Sequence, residues 1–275
     1  MTKKYILESD IEKIAQDWQE WKGTTVRPLR EHEQIYEKHF KRVSEGKAKP
    51  RLLVLGATPE LRTLGHKYGY QVACVDRSLE MQQAMGLLTK GNVGKEEFVQ
   101  GDWQEVELPE GHYDLIAGDD VLNMLAWPSW KGFLIKLKNS LKKEGYFLTH
   151  LIVRHAPEWL SDKIENVFKK YEEGIINNQQ DLLVRAAITM YEPSTYQFSW
   201  QKFVKKVKEL KETGKIKSDF GIYEKYKRFA GVSILPPQQE FEKIAEKHFQ
   251  IISVDYASQF EYCQFEPVCL LKRRL

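Results

Sequence analysis

The chain has 275 residues, a formal net charge of +3 and an apolar fraction of 42%. This length allows one large domain, or a domain with a substantial insertion. The charge is too small to indicate a nucleic-acid partner by itself, and no apolar run is long enough to span a membrane. The first residues lack the apolar core of a secretory signal, and the scattered cysteines form no metal motif. These features predict a cytoplasmic protein with reduced thiols and no metal site.

Residues 1–49 are predicted to form a helical cap. Ser9 and Glu12 match a capping box, and a stripe of apolar residues follows on one helical face: Ile11, Ile14, Ala15, Trp18 and Trp21. Residues 23–28 break this pattern before a second helix over about 31–43. The two tryptophans have two interpretations. They either pack a helix onto the edge of a sheet, or belong to a lid over a binding site.

The stretch from Arg51 to Asp76 predicts a strand, a turn, a helix and a second strand. Residues 52–55 form an apolar run that stops at Gly56, as expected for a strand covered on both faces. Thr58 suits the N-cap of the following helix, and Pro59 suits its first turn. Residues 71–75 then predict a second buried strand, with Asp76 at its carboxyl end.

This order of elements, with an acid about twenty residues after the glycine, is typical of a nucleotide-binding βαβ unit. The carboxylate of Asp76 can accept hydrogen bonds from the two hydroxyls of a ribose. The other interpretation is that Gly56 only makes a turn and Asp76 only caps a helix. A dinucleotide site requires further glycines where Thr58 and Leu61 stand, and Glu60 would face a phosphate. The turn therefore favours a sulfonium nucleoside over NAD.

Three more strands are predicted over residues 97–100, 113–117 and 146–153, with a helix over 130–141 before the last of them. Gly101-Asp102-Trp103 follows the first of these strands, and Gly118-Asp119-Asp120 follows the second. In a parallel sheet all these carboxyl ends meet at one edge, where ligands of open α/β folds bind.

The ordered motifs resemble the class I S-adenosylmethionine-dependent methyltransferases, with a variant first motif, G-x-T-P-E-L. The resemblance implies a Rossmann-like α/β fold with a mostly parallel sheet, ending in an antiparallel hairpin over residues 251–256 and 268–272. Its core is residues 50–153 together with residues 236–275. It further implies that Asp76 holds the ribose, that Asp102 binds the adenine amino group, and that the donor becomes S-adenosylhomocysteine. The implied cofactor-binding residues are Gly56, Ala57, Thr58, Asp76, Arg77, Met81, Asp102, Trp103, Gly118 and Asp119.

Residues 154–235 are additional to this core. Their sequence pattern predicts a helical insertion, with helices over about 158–173, 178–190 and 200–210. By the resemblance, such an insertion covers the acceptor. The segment from Lys202 to Arg228 has more basic than acidic residues. It forms either a solvated helix face or a binding surface for an anionic acceptor or RNA.

The predicted activity is in-line methyl transfer to a small-molecule acceptor. The alternatives are a methyltransferase directed at RNA or protein, and a non-catalytic binding protein with this fold. A base is needed only if the acceptor loses a proton. The candidates for that role are Asp119, Asp120, His150, His155 and Tyr36. The acceptor and the oligomeric state stay open.

Overall fold

The computed structural model describes residues 8–24, 26–154, 161–227 and 231–275. The helices of these ranges are α1 (Glu8–Glu20), α2 (Arg30–Ser44), α3 (Pro59–Lys67), α4 (Leu79–Leu88), α5 (Trp130–Ser140), α6 (Ile164–Glu172), α7 (Gln179–Ile188), α8 (Trp200–Glu212), α9 (Ile222–Tyr226) and α10 (Gln238–Ala245). The strands are β1 (Arg51–Leu55), β2 (Gln71–Asp76), β3 (Glu97–Gln100), β4 (Tyr113–Asp119), β5 (Leu141–His150), β6 (Gln197–Ser199), β7 (Val232–Ile234), β8 (Phe249–Asp255) and β9 (Val268–Arg273). None of these helices combines the length and apolar character that crossing a membrane requires.

The main sheet has seven strands in the order β3-β2-β1-β4-β5-β9-β8. Strands β1 to β5 run parallel, with Leu52 of β1 paired to Val72 on one side and to Leu115 on the other. Strand β9 is antiparallel to both β5 and β8. The predicted Rossmann-like sheet with a C-terminal antiparallel hairpin is therefore confirmed.

The apolar run of β1 explains the position of this strand at the centre of the sheet. Successive side chains of a strand point to opposite faces. Leu53 and Leu55 accordingly join the core on one face, and Leu52 and Val54 join the core on the other. All four are fully or almost fully buried, which is the burial expected of a strand with helices on both sides.

Strand β5 differs from the prediction at both ends. It begins at Leu141, directly after α5, and the pairing with β4 shifts between Tyr113 and Leu115. Gly145 lies beside this bulge in a tightly packed position, where a Cβ would lie 2.9 Å from the backbone oxygens of Lys142 and Tyr113. The strand ends at His150 rather than at residue 153; the segment that precedes its neighbour β9 is a 3-10 helix over Glu261–Phe265.

The insertion also differs in detail. Helix α6 begins at Ile164, not at residue 158; residues 161–163 are not helical and residues 155–160 lie outside the described ranges. Strands β6 and β7 pair as a small antiparallel ribbon that the sequence did not predict, and the short helix α9 was also missed. These elements share an apolar core that includes Phe168, Leu182 and Phe203, so the insertion packs mainly on itself.

Candidate active site

The predicted site residues lie together at the carboxyl edge of the parallel strands. Strand β1 ends before Gly56, β2 ends at Asp76, β4 ends at Asp119 and β5 ends at His150. Pairing brings Asp119 beside His150 in the register of β4 and β5. The fold therefore places these residues on one side of the sheet, as the sequence predicts for parallel strands.

The turn after β1 places the buried Gly56 close to Trp103 and Asp76. Gly56 has φ of +90°, a conformation that side chains rarely allow, and its N–H donates to the Val75 carbonyl at 2.8 Å. The Trp103 indole lies over this glycine and donates from Nε1 to the same carbonyl at 2.8 Å. A Cβ on Gly56 would lie 3.5 Å from the Trp103 ring and 3.9 Å from Oδ2 of Asp76. Gly56, Asp76 and Trp103 thus border one space.

The loop after β2 fixes the carboxylate of Asp76. Its Oδ1 accepts from the backbone N–H of Ser78 at 2.8 Å. Ser78 caps α4, because its hydroxyl accepts from the N–H of Met81 at 3.0 Å. Arg77 extends towards Asp102, with 3.6 Å between guanidinium and carboxylate. Burial raises the pKa of Asp76 above its ordinary value, since a carboxylate loses hydration there.

The remaining predicted cofactor residues also lie at this edge. Ala57 and Thr58 continue the turn, but the Thr58 hydroxyl makes no capping hydrogen bond to α3, contrary to the predicted role. Gly118 allows close packing, because a Cβ there would come within 2.5 Å of the Val121 side chain and 3.3 Å of Leu55.

Helix α1 covers part of the turn. Its residues Ile11, Ile14, Ala15 and Trp18 pack in one cluster with Ala57 and with Met81, Ala84, Met85 and Leu88 of α4. The helix therefore packs on α4 and the turn, not on the edge of the sheet. Trp18 packs in this cluster beside Ala57 and Met81, two residues of the predicted cofactor site. Trp21 instead packs against the insertion, 5.4 Å from the Tyr226 ring.

A buried ion pair fastens the cap to α3. The guanidinium of Arg27 pairs with the carboxylate of Glu60, and both side chains are only 8% exposed. Arg27 also donates to the Trp18 carbonyl at 3.1 Å. Burial raises the pKa of Glu60, although Arg27 opposes that shift. Glu60, the acid that would face a phosphate in a dinucleotide site, is thus paired with the cap.

A second group of polar side chains, the edge cluster, lies beyond the ends of β4 and β5. It consists of His32, Tyr36, Asp119, Asp120, His150 and Glu266. The Tyr36 hydroxyl donates to Asp119 at 2.5 Å. Nδ1 of His150 lies 3.1 Å from Asp119 and 3.0 Å from Asp120, although neither carboxylate is aligned with the ring N–H. Asp120 has φ of +54°, which aspartate tolerates, and its N–H donates to the His150 carbonyl.

The charges of the edge cluster set the roles of these groups. Burial opposes the charge on His150, but attraction to Asp120 and Asp119 raises the pKa of its imidazole well above the ordinary value. Burial raises the pKa of Asp119, yet contacts with His150 and Tyr36 lower it overall, whereas the pKa of Asp120 stays raised by burial. Burial, together with Asp119, raises the pKa of Tyr36 well above its ordinary value. These directions favour His150 and Tyr36 as hydrogen-bond donors and the carboxylates as acceptors.

Sequence reasoning missed His32 and Glu266. The His32 ring lies 4.4 Å from the His150 ring, and burial with the nearby His150 charge lowers its pKa to about 3. Oε2 of Glu266 lies 3.8 Å from Nε2 of His150, and burial raises the pKa of Glu266 to about 8. His155, the other candidate base, lies outside the described residues.

Residues 55–149 match the methyltransferase domain family. This range begins at the end of β1 and ends in β5, so it contains the turn, Asp76 and both acids after β4. The chain carries a class I S-adenosylmethionine-dependent methyltransferase domain. It is thus an enzyme of the transferase class whose cofactor is S-adenosylmethionine. No curated protein matches the methyltransferase by sequence.

Solved structures share the fold of this methyltransferase. The CcbJ methyltransferase from Streptomyces caelestis matches with a TM-score of 0.60 at 12% identity, over 96% of this chain and 97% of that one. A protein described as a putative zinc-dependent alcohol dehydrogenase from Rhodobacter sphaeroides has a TM-score of 0.56 at 13% identity, over 96% and 99%. A protein from Pyrococcus horikoshii matches at 0.53 and 12%, over 91% and 94%. At these identities the likeness concerns the fold alone.

The methyltransferase has groups that suit its cofactor. Gly56 has no side chain to fill the turn, and Oδ2 of Asp76 lies 3.9 Å from the place where its Cβ would stand. The sulfonium donor has no phosphate, so the missing glycines of the first motif remove no phosphate contact. The glycine that the sequence singled out and the acid after β2 are thus adjacent in the fold.

Proposed function

We propose that the enzyme transfers a methyl group in line to a small-molecule acceptor held at the edge cluster. The observation that supports this most directly is burial. Tyr36 is fully buried, and His32, His150 and Glu266 are 1%, 4% and 2% exposed. An acceptor atom of a large RNA or a folded protein reaches such a cluster only if the covering segments move far away, whereas a small molecule requires a smaller opening.

Three parts of the chain supply this cover. Helix α2 brings His32 and Tyr36 from the N-terminal side, and the segment before β9 brings Glu266. The insertion is tied to the edge through Asn123, whose amide donates to the carbonyls of Ile152 at 2.7 Å and Ile234 at 2.6 Å. We propose that residues 1–49 cap the site, that residues 154–235 cover the acceptor, and that residues 50–153 and 236–275 form the core.

The edge cluster provides hydrogen-bonding atoms that have no partner among the described residues. They include Oε1 of Glu266 and Nε2 of His150, which lies 3.8 Å from Oε2 of Glu266. Leaving buried polar atoms unpaired costs about 1–3 kcal/mol each, so a ligand that satisfies them gains affinity. We infer an acceptor with a hydroxyl or amine group, which both donates and accepts hydrogen bonds.

The reaction requires mainly that the protein position the donor and the acceptor. S-adenosylmethionine supplies an electrophilic methyl group when bound, and we propose that Asp76, the Gly56 turn and Met81 hold it. The carboxylates of Asp119 and Asp120 orient the acceptor by accepting a hydrogen bond from its hydroxyl or amine proton. The cap and the insertion exclude water. Alignment and desolvation are the main protein contributions to such a displacement.

The basic segment of the insertion gives less support to an RNA acceptor. Several of its lysines form ion pairs, among them Lys211 with Asp219 at 2.7 Å and Lys206 with Glu209 at 2.8 Å. Lys217 also lies 3.7 Å from Glu172. Paired lysines release few counterions on binding a polyanion, so we favour the interpretation as a solvated helix face.

The test is to incubate the enzyme with donor labelled in the methyl group and a cell extract separated by size. We expect label in the small-molecule fraction and none in protein or RNA. The Asp76→Ala variant serves as the control for donor-dependent labelling. Label confined to RNA or protein would overturn the small-molecule proposal. Tight donor binding without transfer to any fraction would favour the non-catalytic alternative.

A further inference from the structure

We propose that His32, Cys263 and Glu266 form a binding site for a transition-metal ion of the Zn²⁺ type. One ligand atom of each residue lies within 4.8 Å of the ligand atoms of the other two. All three residues are buried, with exposures of 1%, 0% and 2%. Metal ligation at this place goes beyond methyl transfer and is measurable without an acceptor.

The local sequence brings Cys263 and Glu266 together. They are three residues apart, at the 3-10 helix over Glu261–Phe265, and the N–H of Glu266 donates to the Cys263 carbonyl at 3.0 Å. Side chains at this spacing lie on the same side of a 3-10 turn. The sequence Cys-Gln-Phe-Glu therefore presents a thiol and a carboxylate in one direction.

The third ligand is held in place by its neighbour on α2. The carboxylate of Glu31 accepts hydrogen bonds from the N–H of Ser258 at 2.5 Å and from that of Gln259 at 3.1 Å. These bonds fasten the start of α2 to the loop that leads into the 3-10 helix. His32 follows directly, so its ring is positioned against Cys263 and Glu266 by the fold.

Unpaired buried atoms indicate that something binds here. Both ring nitrogens of His32 and Oε1 of Glu266 have no hydrogen-bond partner among the described residues. Buried polar atoms in folded proteins are nearly always paired, and each exception requires an explanation. A metal ion accepts one lone pair each from an imidazole, a thiolate and a carboxylate, and so satisfies one ring nitrogen of His32 together with the Glu266 carboxylate.

The donor set selects the class of metal. A thiolate with an imidazole suits Zn²⁺, Co²⁺ or Fe²⁺, whereas Mg²⁺ and Ca²⁺ prefer oxygen ligands alone. Three protein ligands leave a coordination position free for water or an acceptor atom, as in catalytic zinc sites. The adjacent group Asp119, Asp120 and His150 also has metal-ligating atoms. Its histidine already lies within ion-pair distance of both carboxylates, so we do not assign a metal to it.

The test is a Co²⁺ titration of the tag-free protein after treatment with a chelator. A cobalt–thiolate bond gives a charge-transfer absorption in the near ultraviolet, and tetrahedral Co²⁺ gives intense visible bands. We expect these bands to saturate at one ion per chain. They should be absent in Cys263→Ala and unchanged in Cys269→Ala, which removes a buried thiol of β9 outside the site.

Two further variants keep the side-chain size and guard against misfolding. His32→Gln and Glu266→Gln should each weaken Co²⁺ binding at least tenfold, while circular dichroism and S-adenosylmethionine binding are retained. Wild-type protein without the bands would overturn the proposal. Bands that persist in Cys263→Ala would overturn it as well. Donor binding is measured on the same samples, so loss of the metal site and failure of the proposed function are told apart.

Discussion

Replacing Asp76 by asparagine is expected to weaken donor binding and, at the same time, to stabilise the unliganded enzyme. Oδ1 of Asp76 accepts from the Ser78 N–H at 2.8 Å, and Oδ2 borders the space at Gly56. Asparagine keeps one acceptor oxygen and removes the charge. The local turn can therefore persist while the contact to the ribose hydroxyls is weakened.

The magnitude follows from the number of charged hydrogen bonds lost. A hydrogen bond to a charged group contributes about 1.5–3 kcal/mol. Loss of one such bond in Asp76→Asn lowers the affinity for S-adenosylmethionine roughly 10- to 150-fold. Asp76→Ala loses both ribose bonds and the Ser78 contact, so its affinity should fall further, by about 3–6 kcal/mol at most.

The effect on stability has the opposite sign. Burial raises the folded-state pKa of Asp76, which means that the folded chain disfavours the ionised form. The wild type therefore loses stability as the pH rises through that folded pKa. At neutral pH the neutral amide avoids this cost, so the melting temperature of Asp76→Asn should exceed that of the wild type. The advantage should disappear in acid, where Asp76 is protonated.

Calorimetric titration with S-adenosylmethionine, S-adenosylhomocysteine and NAD measures the first effect, and thermal unfolding measures the second. Asp17→Asn is a matched control, because it removes an exposed carboxylate from α1. If Asp76→Asn binds the donor as tightly as the wild type, the ribose assignment is wrong. If it melts at a lower temperature at neutral pH, our account of its desolvation is wrong.

Gly56→Ala should cost about 1–3 kcal/mol of stability, measured by urea unfolding, because its φ of +90° strains any side chain. Its control, Gly132→Ala in α5, has no atom within 4 Å of the new Cβ and should gain about 0.5–1 kcal/mol. Arg27→Ala leaves the buried Glu60 carboxylate unpaired, so α1 should exchange its amide hydrogens faster; unchanged exchange would contradict the role of this ion pair. Burial raises the pKa of Asp114, but its lysine partners and a backbone N–H lower it overall. The stability that ionised Asp114 adds to the fold is therefore present above its unfolded-state pKa and is lost as the pH falls through its folded-state pKa. Urea midpoints of wild type and Asp114→Asn should differ at neutral pH and converge in acid.

Much of the fold could be predicted because its signals are local. The apolar run before Gly56 and the acid after the next strand depend only on neighbours in sequence and on the pairing of parallel strands. The Ser78 cap before α4 is likewise a local feature, since its hydroxyl accepts from the N–H of Met81 three residues on. The adjacency of Asp119 and His150 required only that β4 and β5 pair in parallel.

The rest depends on contacts between distant parts of the chain. His32 lies in the polar sequence Arg-Glu-His-Glu-Gln, which is typical of a solvent-exposed helix face, and only the packing of α2 buries it. Cys263 and Glu266 lie in a loop rich in polar and aromatic residues, without histidine nearby in sequence. The bulge of β5 was missed because Lys-Lys-Glu-Gly has the composition of a turn.

The edge cluster combines His32 from the beginning of the chain with Glu266 from near its end. During synthesis the ribosome delivers α2 long before the 3-10 helix and β9 emerge. A nascent chain can thus form β1 to β4 and its first crossovers while this cluster is still incomplete, because contacts of such sequence separation form late. A fragment that stops before Glu266 lacks both the strand beside β5 and one wall of the cluster. The proposed acceptor site is then incomplete until this segment has left the ribosome.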